Sequence, residues 1–319
     1  MKSKIMYIVV PCYNEEEVLN ETTKRLDEKL KSLITKKIVS NKSKIMYVND
    51  GSKDQTWKLI CEICKNNKLF TGVCLSRNKG HQNALLAGLM TAKQYADFVI
   101  SMDADLQDDI DAIDEMIEKY YSGSEIVYGV RSARKKDTWF KKTTAESFYK
   151  FMKKMDVDIV FNHADYRLTS KKVLDNLELY KETNLFLRGI FPTIGYKNDI
   201  VYYERNERFA GESKYPLKKM LNFAWDGITS FSTKPLRIIT KLSIFNIFLS
   251  IIALILSILL KIFTDLSSIY IFLSCFWIII STMFISLAII GEYVGKLFIE
   301  VKQRPRFIIS EIVGDINDK

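Results

Sequence analysis

Val99-Ile100-Ser101-Met102-Asp103-Ala104-Asp105-Leu106-Gln107-Asp108 is the stretch whose reading decides the fold. A hydrophobic run leads into two carboxylates spaced two residues apart, and there the apolar character stops. A buried strand that delivers acidic groups to the edge of a sheet has this pattern. Paired carboxylates at a strand end are hard oxygen ligands for a divalent cation. Taken alone, Asp-x-Asp fits a solvated loop equally well, so the flanking sequence has to separate the two readings.

The same unit recurs upstream. Ile5–Val10 reads as a buried parallel strand that runs into Pro11-Cys12-Tyr13-Asn14-Glu15-Glu16. Proline ends the strand, Asn14 is placed to cap the next helix, and the glutamates favour its positive end. Val18, Leu19, Thr22, Leu26, Leu30 and Leu33 then repeat at helical spacing. A second strand, Ile45–Asn49, delivers Asp50-Gly51-Ser52-Lys53-Asp54, where Gly51 permits a tight turn and Ser52 or Asp54 can cap a helix. A third, about Phe70 to Ser76, ends in Arg77-Asn78-Lys79-Gly80-His81 and leads into a helix in which Gly88 allows close approach to a sheet. Downstream come a helix over Ile110–Tyr121 and a strand over Glu125–Val130. Strand and helix thus alternate from Ile5 to Val130, which predicts an α/β domain with a largely parallel sheet and a ligand site beyond the carboxyl ends of its strands. Neither a Gly-x-Gly-x-x-Gly after the first strand nor a Walker A sequence is present, which argues against a dinucleotide or P-loop enzyme.

Further along, Arg131 opens a basic run to Asp137 suited to phosphate oxygens. Asp165, within Phe161–Ser170, is a candidate general base. Asn184–Ile190 reads as a short helix and Tyr196–Tyr203 as a sheet-edge strand. Arg205 to Tyr215 forms a basic, glycine-containing loop. The helix opened by Pro216 carries apolar residues among lysines, and either lies at a membrane interface or packs on the soluble domain.

Leu242–Leu260 and Ile269–Ile290 are each long and apolar enough to cross a bilayer. Lys214, Lys218, Lys219, Lys234, Arg237 and Lys241 precede the first span, and Lys296, Lys302, Arg304 and Arg306 follow the second. The positive-inside rule then places the soluble domain and both chain ends on the cytoplasmic side of the cytoplasmic membrane. Ile5–Val10 is too short for the apolar region of a signal peptide. With 47 Lys and Arg against 38 Asp and Glu, the net charge is +9 and the balance suits anionic partners. Those charges gather around the membrane segments and phosphate-binding runs, so membrane electrostatics explains them better than nucleic acid does. Two histidines exclude histidine-rich metal chemistry. Cys61-x-x-Cys64 lies in a helical pattern without a second pair, which favours core cysteines over zinc or redox use.

Pro11-x-Tyr13-Asn14-Glu15, Asp50-Gly51-Ser52-x-Asp54-x-Thr56, Arg77-Asn78-x-Gly80, Asp103-Ala104-Asp105-Leu106-Gln107-Asp108 and Arg208-x-x-Gly211-x-Ser213-Lys214-Tyr215, in this order, resemble family 2 of the glycosyltransferases. Within it, the chain is similar to polyprenyl-phosphate glycosyltransferases: the dolichol-phosphate mannose synthases and, with two C-terminal spans, the bactoprenol (undecaprenyl-phosphate) glucosyltransferases. The resemblance implies an A-type glycosyltransferase fold, Rossmann-like, over 1–214, juxtamembrane amphipathic helices over 215–241, two transmembrane helices over 242–290 and a juxtamembrane tail over 291–319. It implies a nucleotide pocket lined by Pro11, Tyr13, Asn14, Glu15 and Asp50. Asp103 and Asp105 would face the diphosphate, Asp105 as the better ligand for Mg2+ or Mn2+ and a catalytic residue, Asp103 as a second ligand or instead as a holder of the nucleotide, and Gln107 as a further ligand or support. Asp165 would orient or deprotonate the acceptor, and Arg131, Arg208, Ser213 and Lys214 would hold phosphate oxygens. The implied reaction is inverting transfer of a hexose, glucose first, from a UDP-sugar to polyprenyl phosphate, by a membrane-bound homo-oligomer, a homotetramer by family resemblance. GDP-mannose, UDP-N-acetylglucosamine, UDP-galactose and a UDP-aminoarabinose donor stay open, as does a non-catalytic scaffold for a lipid flippase. A processive glycan synthase is disfavoured, since no Gln-x-x-Arg-Trp motif and no larger set of spans is present. One departure stands out: Asp109 occupies a position where many relatives have proline, which implies a slightly different entry to the following helix.

Overall fold

The computed structural model describes residues 3–132, 155, 163–183, 185–205, 225, 227–230, 232–263 and 269–315. Strands β1 (Met6–Cys12), β2 (Lys44–Asn49), β3 (Phe70–Leu75) and β4 (Phe98–Ser101) alternate with helices α1 (Leu19–Thr35), α2 (Thr56–Asn66) and α3 (His81–Ala92). Helix α4 (Ala112–Tyr121) and β5 (Ile126–Arg131) follow, then β6 (His163–Ser170), α5 (Lys171–Leu177), α6 (Leu187–Ile194) and β7 (Asn198–Tyr203). The chain ends in two long helices, α7 (Lys234–Phe263) and α8 (Ile269–Val301), and a last strand, β8 (Ile309–Val313).

These strands form one sheet in the order β7-β5-β6-β4-β1-β2-β3-β8. Every residue of β1, β2 and β4 is buried, because helices cover both faces, and such strands read as continuous apolar runs. Met6, Ile8 and Val10 pack with Leu26, Leu30, Ile113 and Met116 on one face, while Tyr7 and Val9 pack with Ala84, Leu85 and Leu89 on the other. The helical spacing read in α1 holds: Leu19, Thr22, Leu26, Leu30 and Leu33 are its buried residues. Within α2, Cys64 is buried and Cys61 half-buried, both as free thiols, and burial raises both above the ordinary thiol range, the reverse of an activated pair.

Two features depart from the sequence reading. The sheet is mixed: β6 runs antiparallel to both β4 and β5, and β8 antiparallel to β3. Asn14 does not cap α1, which has no side-chain cap. It adopts the left-handed region at φ 53°, and its Oδ1 accepts from the Lys53 N–H at 2.9 Å.

The chain leaves β1 in one direction through β2 and β3, then returns to place β4 on β1's other side. This reversal opens a crevice at the carboxyl ends of β1 and β4. Across β4 from it lies β6, in register Ser101↔Arg167, so its early residues sit beside the acidic segment that leaves β4.

Helices α7 and α8 pack on each other and contain segments long and apolar enough to cross a membrane. At 30 residues, α7 extends about 45 Å, beyond the roughly 30 Å hydrocarbon layer. Their apolar side chains face outward, with Ile244 63% and Phe284 69% exposed, which excludes buried core helices. The far end of α8 is tied to the sheet domain. The Thr183 N–H donates to Glu300 Oε2 at 2.8 Å, and Arg306 Nη2 donates to the Tyr180 carbonyl. Strand β8 then caps the free edge of β3, with Thr71 Oγ1 donating to the Val313 carbonyl at 2.9 Å.

Gly88 is where α3 meets the sheet: a Cβ there would lie 2.4 Å from Val9 Cγ1 and 2.7 Å from Val48 Cγ2. Both contacts are stiff, β-branched and fully buried. Alanine is the better helix former by about 1 kcal/mol, yet overpacking costs about 1–3 kcal/mol. Gly88→Ala is therefore expected to lower the thermal unfolding midpoint of the detergent-solubilised protein, and an unchanged or raised midpoint would show that the valines yield.

Candidate active site

Two loops interlock at the carboxyl ends of β1 and β2. The Asn14 N–H donates to Ser52 Oγ at 3.0 Å, the Glu15 N–H to Thr56 Oγ1 at 2.9 Å, and the Gln55 N–H to Glu16 Oε2 at 2.8 Å. Asp54 forms a turn onto the Thr56 N–H at 3.0 Å, although α2, like α1, carries no side-chain cap. Pro11 lies inside β1, opposite Val48, and is buried, while Tyr13, Asn14 and Glu15 are half-buried at the crevice.

Asp50 fastens a third loop to this pair. Its Oδ1 accepts from the Lys79 N–H at 2.7 Å and its Oδ2 from the Gly80 N–H at 2.9 Å. Burial raises the Asp50 carboxyl, and these two N–H groups work against that shift. Gly51, at φ +63°, allows the approach, since a Cβ there would stand 2.5 Å from the Asn78 backbone nitrogen. The reach of Asp50 thus fixes the turn at Gly80 (φ +85°) and the start of α3 at His81.

The acidic segment after β4 contains a left-handed residue, Leu106 (φ 58°), whose side chain is buried. Such a backbone costs a bulky residue roughly 1–2 kcal/mol, and strain of this kind gathers at functional sites. Asp103 and Asp105 are half-buried on the crevice side of this turn. Beyond it, Gln107 and Asp108 are buried and engaged with the β5–β7 side. Gln107 Oε1 accepts from Arg205 Nη2, and Asp108 Oδ1 accepts from Tyr203 OH and, at 3.4 Å, from Arg131 Nη2. Asp109 stays local at the entry to α4, with Oδ1 accepting from the Asp111 N–H at 2.9 Å.

Asp165, near the start of β6, is buried and met by four side chains. Arg188 Nε and Nη2 reach its two oxygens at 3.2 and 3.0 Å, Arg167 Nη2 at 3.2 Å, Gln82 Nε2 at 3.3 Å and His81 Nε2 at 3.4 Å. Burial alone would raise this carboxyl, but Arg188, His81 and Arg167 reverse that and hold it well below the usual carboxylate range. So held, Asp165 is a weak proton acceptor and a strong anchor. His81 Nε2 also lies 3.7 Å from Asp103 Oδ1. Burial would lower its pKa, but the two carboxylates raise it to about 9. Asp103 is itself raised, first by burial and then by Asp108, Asp165 and Asp105, with His81 opposing.

The structure therefore gathers Asp50, Asp103, Asp105 and Asp165 at one end of the sheet, turns Gln107 toward Arg205 and Arg131 toward Asp108, and leaves Arg208, Ser213 and Lys214 outside the described residues. His81, Gln82, Arg167 and Arg188 were not singled out from sequence. Alternation of Ala164, Tyr166 and Leu168 with Asp165, Arg167 and Thr169 marks β6, and a lone arginine within Leu185–Phe191 marks Arg188. Among the described residues, no group of three or more His, Cys, Asp or Glu side chains is arranged to hold a metal ion.

A Rossmann-like α/β domain with carboxylates at its switch point, joined to two membrane-length helices, defines a ligand-binding α/β domain of a membrane-associated protein. The family model for glycosyl transferase family 2 matches residues 7–178, and the chain belongs to that family. Over 96% of this chain it is 51% identical to the uncharacterized glycosyltransferase YkoT of Bacillus subtilis (strain 168), covering 91% of that protein. It is 36% identical to the SfII prophage-derived bactoprenol glucosyl transferase of Shigella flexneri over 95% of this chain and 97% of that one. Among solved structures, a glucosyl-3-phosphoglycerate synthase from Mycobacterium tuberculosis covers 71% of this chain and 76% of that chain at 14% identity, with a TM-score of 0.46.

Asp50→Ala would leave the Lys79 N–H without the Asp50 carboxylate and the Gly80 N–H with the weaker Asn78 Oδ1 contact at 3.2 Å, a loss of about 1–3 kcal/mol concentrated in one loop. Trypsin should then cut faster after Arg77 or Lys79 than in the unaltered protein. Equal cutting rates would show that the loop is held by other contacts.

Proposed function

We propose that the protein transfers a hexose, with glucose the first candidate, from a UDP-sugar to polyprenyl phosphate at the cytoplasmic face of a membrane. One observation carries this reading: the acidic crevice and the Asp165 cluster belong to a domain hydrogen-bonded to the end of a membrane-length helix. A water-soluble donor and a bilayer-anchored acceptor have to meet in such a place. The bactoprenol glucosyl transferase of Shigella flexneri, similar over nearly its whole length, supports the acceptor and sugar classes. The basic residues flanking both spans support a cytoplasmic sheet domain.

In this reading Pro11, Tyr13, Asn14 and Glu15 line the nucleotide pocket, and Asp50 shapes it through the 79–80 loop. Asp103 and Asp105 would hold Mg2+ or Mn2+. The fit is chemical: mutual repulsion and burial make Asp103 a carboxylate that gains from a cation. Mg2+ is commonly bound by one or two carboxylates together with substrate phosphates, so a larger protein cage is not required. When bound, the cation offsets charge on the departing diphosphate. Gln107, with its carbonyl on Arg205, supports the turn rather than the ion.

The acceptor's phosphate oxygen attacks the anomeric carbon opposite the diphosphate. The new carbon–oxygen bond forms as the bond to the diphosphate breaks, the carbon inverts, and UDP departs with the electron pair. A phosphate monoester has a second pKa of about 6 and is already anionic at neutral pH, so no base is needed. This agrees with Asp165 as an orienting group.

The test uses the full chain in membranes, undecaprenyl phosphate and a panel of nucleotide-sugars with and without Mg2+ or Mn2+. UDP-glucose should give a lipid-phosphate sugar, and chelation should stop the reaction. Asp105→Asn should lower turnover by about 100-fold or more while leaving membrane insertion intact. Product from no donor would sink the assignment, and full turnover in Asp105→Asn would remove that residue from the site.

A further inference from the structure

We propose that Tyr203, on the outermost strand β7, is a positioning residue for Asp105: through the buried carboxylate of Asp108 it holds the strained turn at Leu106 that presents Asp105 to the crevice. This deepens the reading of Asp105 as a ligand of the donor's cation and rests on it.

The turn needs holding. Leu106 sits at φ 58°, where a Cβ crowds the backbone, and such a residue persists only when its surroundings over-determine it. Part of the hold lies at the ends of the segment. Thr22 Oγ1 donates to the Ala104 carbonyl at 2.8 Å, and Tyr166 OH donates to the Asp109 carbonyl at 2.8 Å. Within the turn, Asp105 Oδ1 accepts from the Gln107 N–H at 3.2 Å, so the Asp105 side chain moves with the backbone that follows it.

Asp108 supplies the pull from the β5–β7 side. Its side chain is fully buried, and a buried carboxylate has to be matched by donors. Its Oδ1 accepts from Tyr203 OH and, at 3.4 Å, from Arg131 Nη2, whereas among the described residues its Oδ2 has no hydrogen-bond partner. Arg131 Nε also donates to Tyr203 OH at 3.2 Å, so guanidinium, hydroxyl and carboxylate close a triangle in which each contact polarises the next.

Tyr203 is itself rigidly set. It pairs with Arg131 in the parallel register of β5 and β7, and its carbonyl accepts from the Ser132 N–H and Oγ at 2.9 and 3.0 Å. Its ring meets that of Tyr166 edge-on, 5.3 Å between centres. An edge strand far from the nucleotide loops thereby fixes Asp108, and with it the backbone just beyond Asp105. Loss of the hydroxyl leaves Asp108 to Arg131 and frees Leu106 to relax toward the right-handed region, which moves the Asp105 carboxylate out of place.

The experiment uses the full chain in detergent. Tyr203→Phe removes the hydroxyl and keeps the ring. In the protein without ligand, amide hydrogen exchange over residues 104–109 should quicken about 10-fold, the scale of one hydrogen bond to a charged group, with β1 and β2 unchanged. Calorimetry with UDP, with and without Mn2+, gives the functional readout. The gain in UDP affinity that Mn2+ brings should shrink about 10-fold in Tyr203→Phe, as for other groups that orient a metal ligand, while metal-free UDP binding stays within about twofold. Asp108→Asn keeps an acceptor oxygen for the hydroxyl and should retain part of the gain that Asp108→Ala loses. Unchanged exchange and an unchanged Mn2+ gain in Tyr203→Phe would overturn the proposal. So would faster exchange throughout the domain with UDP binding weakened equally with and without Mn2+, the mark of a loosened fold. Faster exchange confined to 104–109, with no Mn2+ gain even in the unaltered protein, would uphold the hold on the turn and overturn the cation reading of Asp105 instead.

Discussion

A carboxylate in the interior has to be matched by donors and charge, and at Asp165 that requirement draws three parts of the chain to one point. His81 and Gln82 come from the start of α3, Arg167 from β6 itself and Arg188 from the start of α6. None of these elements is adjacent in sequence to the acidic segment 103–108, yet the cluster fixes what stands beside it. The antiparallel register of β6 on β4 makes this possible, since a parallel strand would present its opposite end to the crevice.

The other half of the site is held by a similar economy of contacts. Asp50 ties the β2 loop to the β3 loop, and Ser52, Asp54 and Thr56 tie it to the β1 loop. Loops emerging from adjacent parallel strands thereby behave as one surface. Because the Asp50 contacts end at Gly80 and α3 begins at His81, this surface is continuous with the Asp165 cluster. The two sides of the crevice are mechanically joined through one turn.

The membrane helices are not a separate appendage. Glu300 and Arg306 bind the backbone of residues 180–183, and β8 adds itself to the sheet at β3. The tail after α8 thus returns to the domain that begins the chain. Such closure limits how far the crevice can move relative to the end of α8.

Much of this was legible in the residues. Continuous apolar runs set β1, β2 and β4, helical spacing set α1, and unbroken hydrophobicity set α7 and α8, because each pattern reports directly on which faces avoid water. Asp50, Asp103 and Asp105 were also visible, as polar groups at the abrupt ends of buried strands. The partners of those groups were not. Asn14 read as a cap because capping is a local rule, while its actual partner is Lys53 on another loop. His81 and Arg188 read as an unremarked histidine and a stray arginine, because their importance comes from proximity to Asp165, residues 84 and 23 positions away (165 − 81 and 188 − 165). The sequence by itself determined the strand-and-helix order, the acidic strand ends and the membrane-length helices, since these depend on local patterns of hydrophobicity. Only the tertiary structure decided the mixed sheet, the pairing of β8 with β3 and the cationic shell of Asp165, since these depend on which distant segments are brought within hydrogen-bonding range.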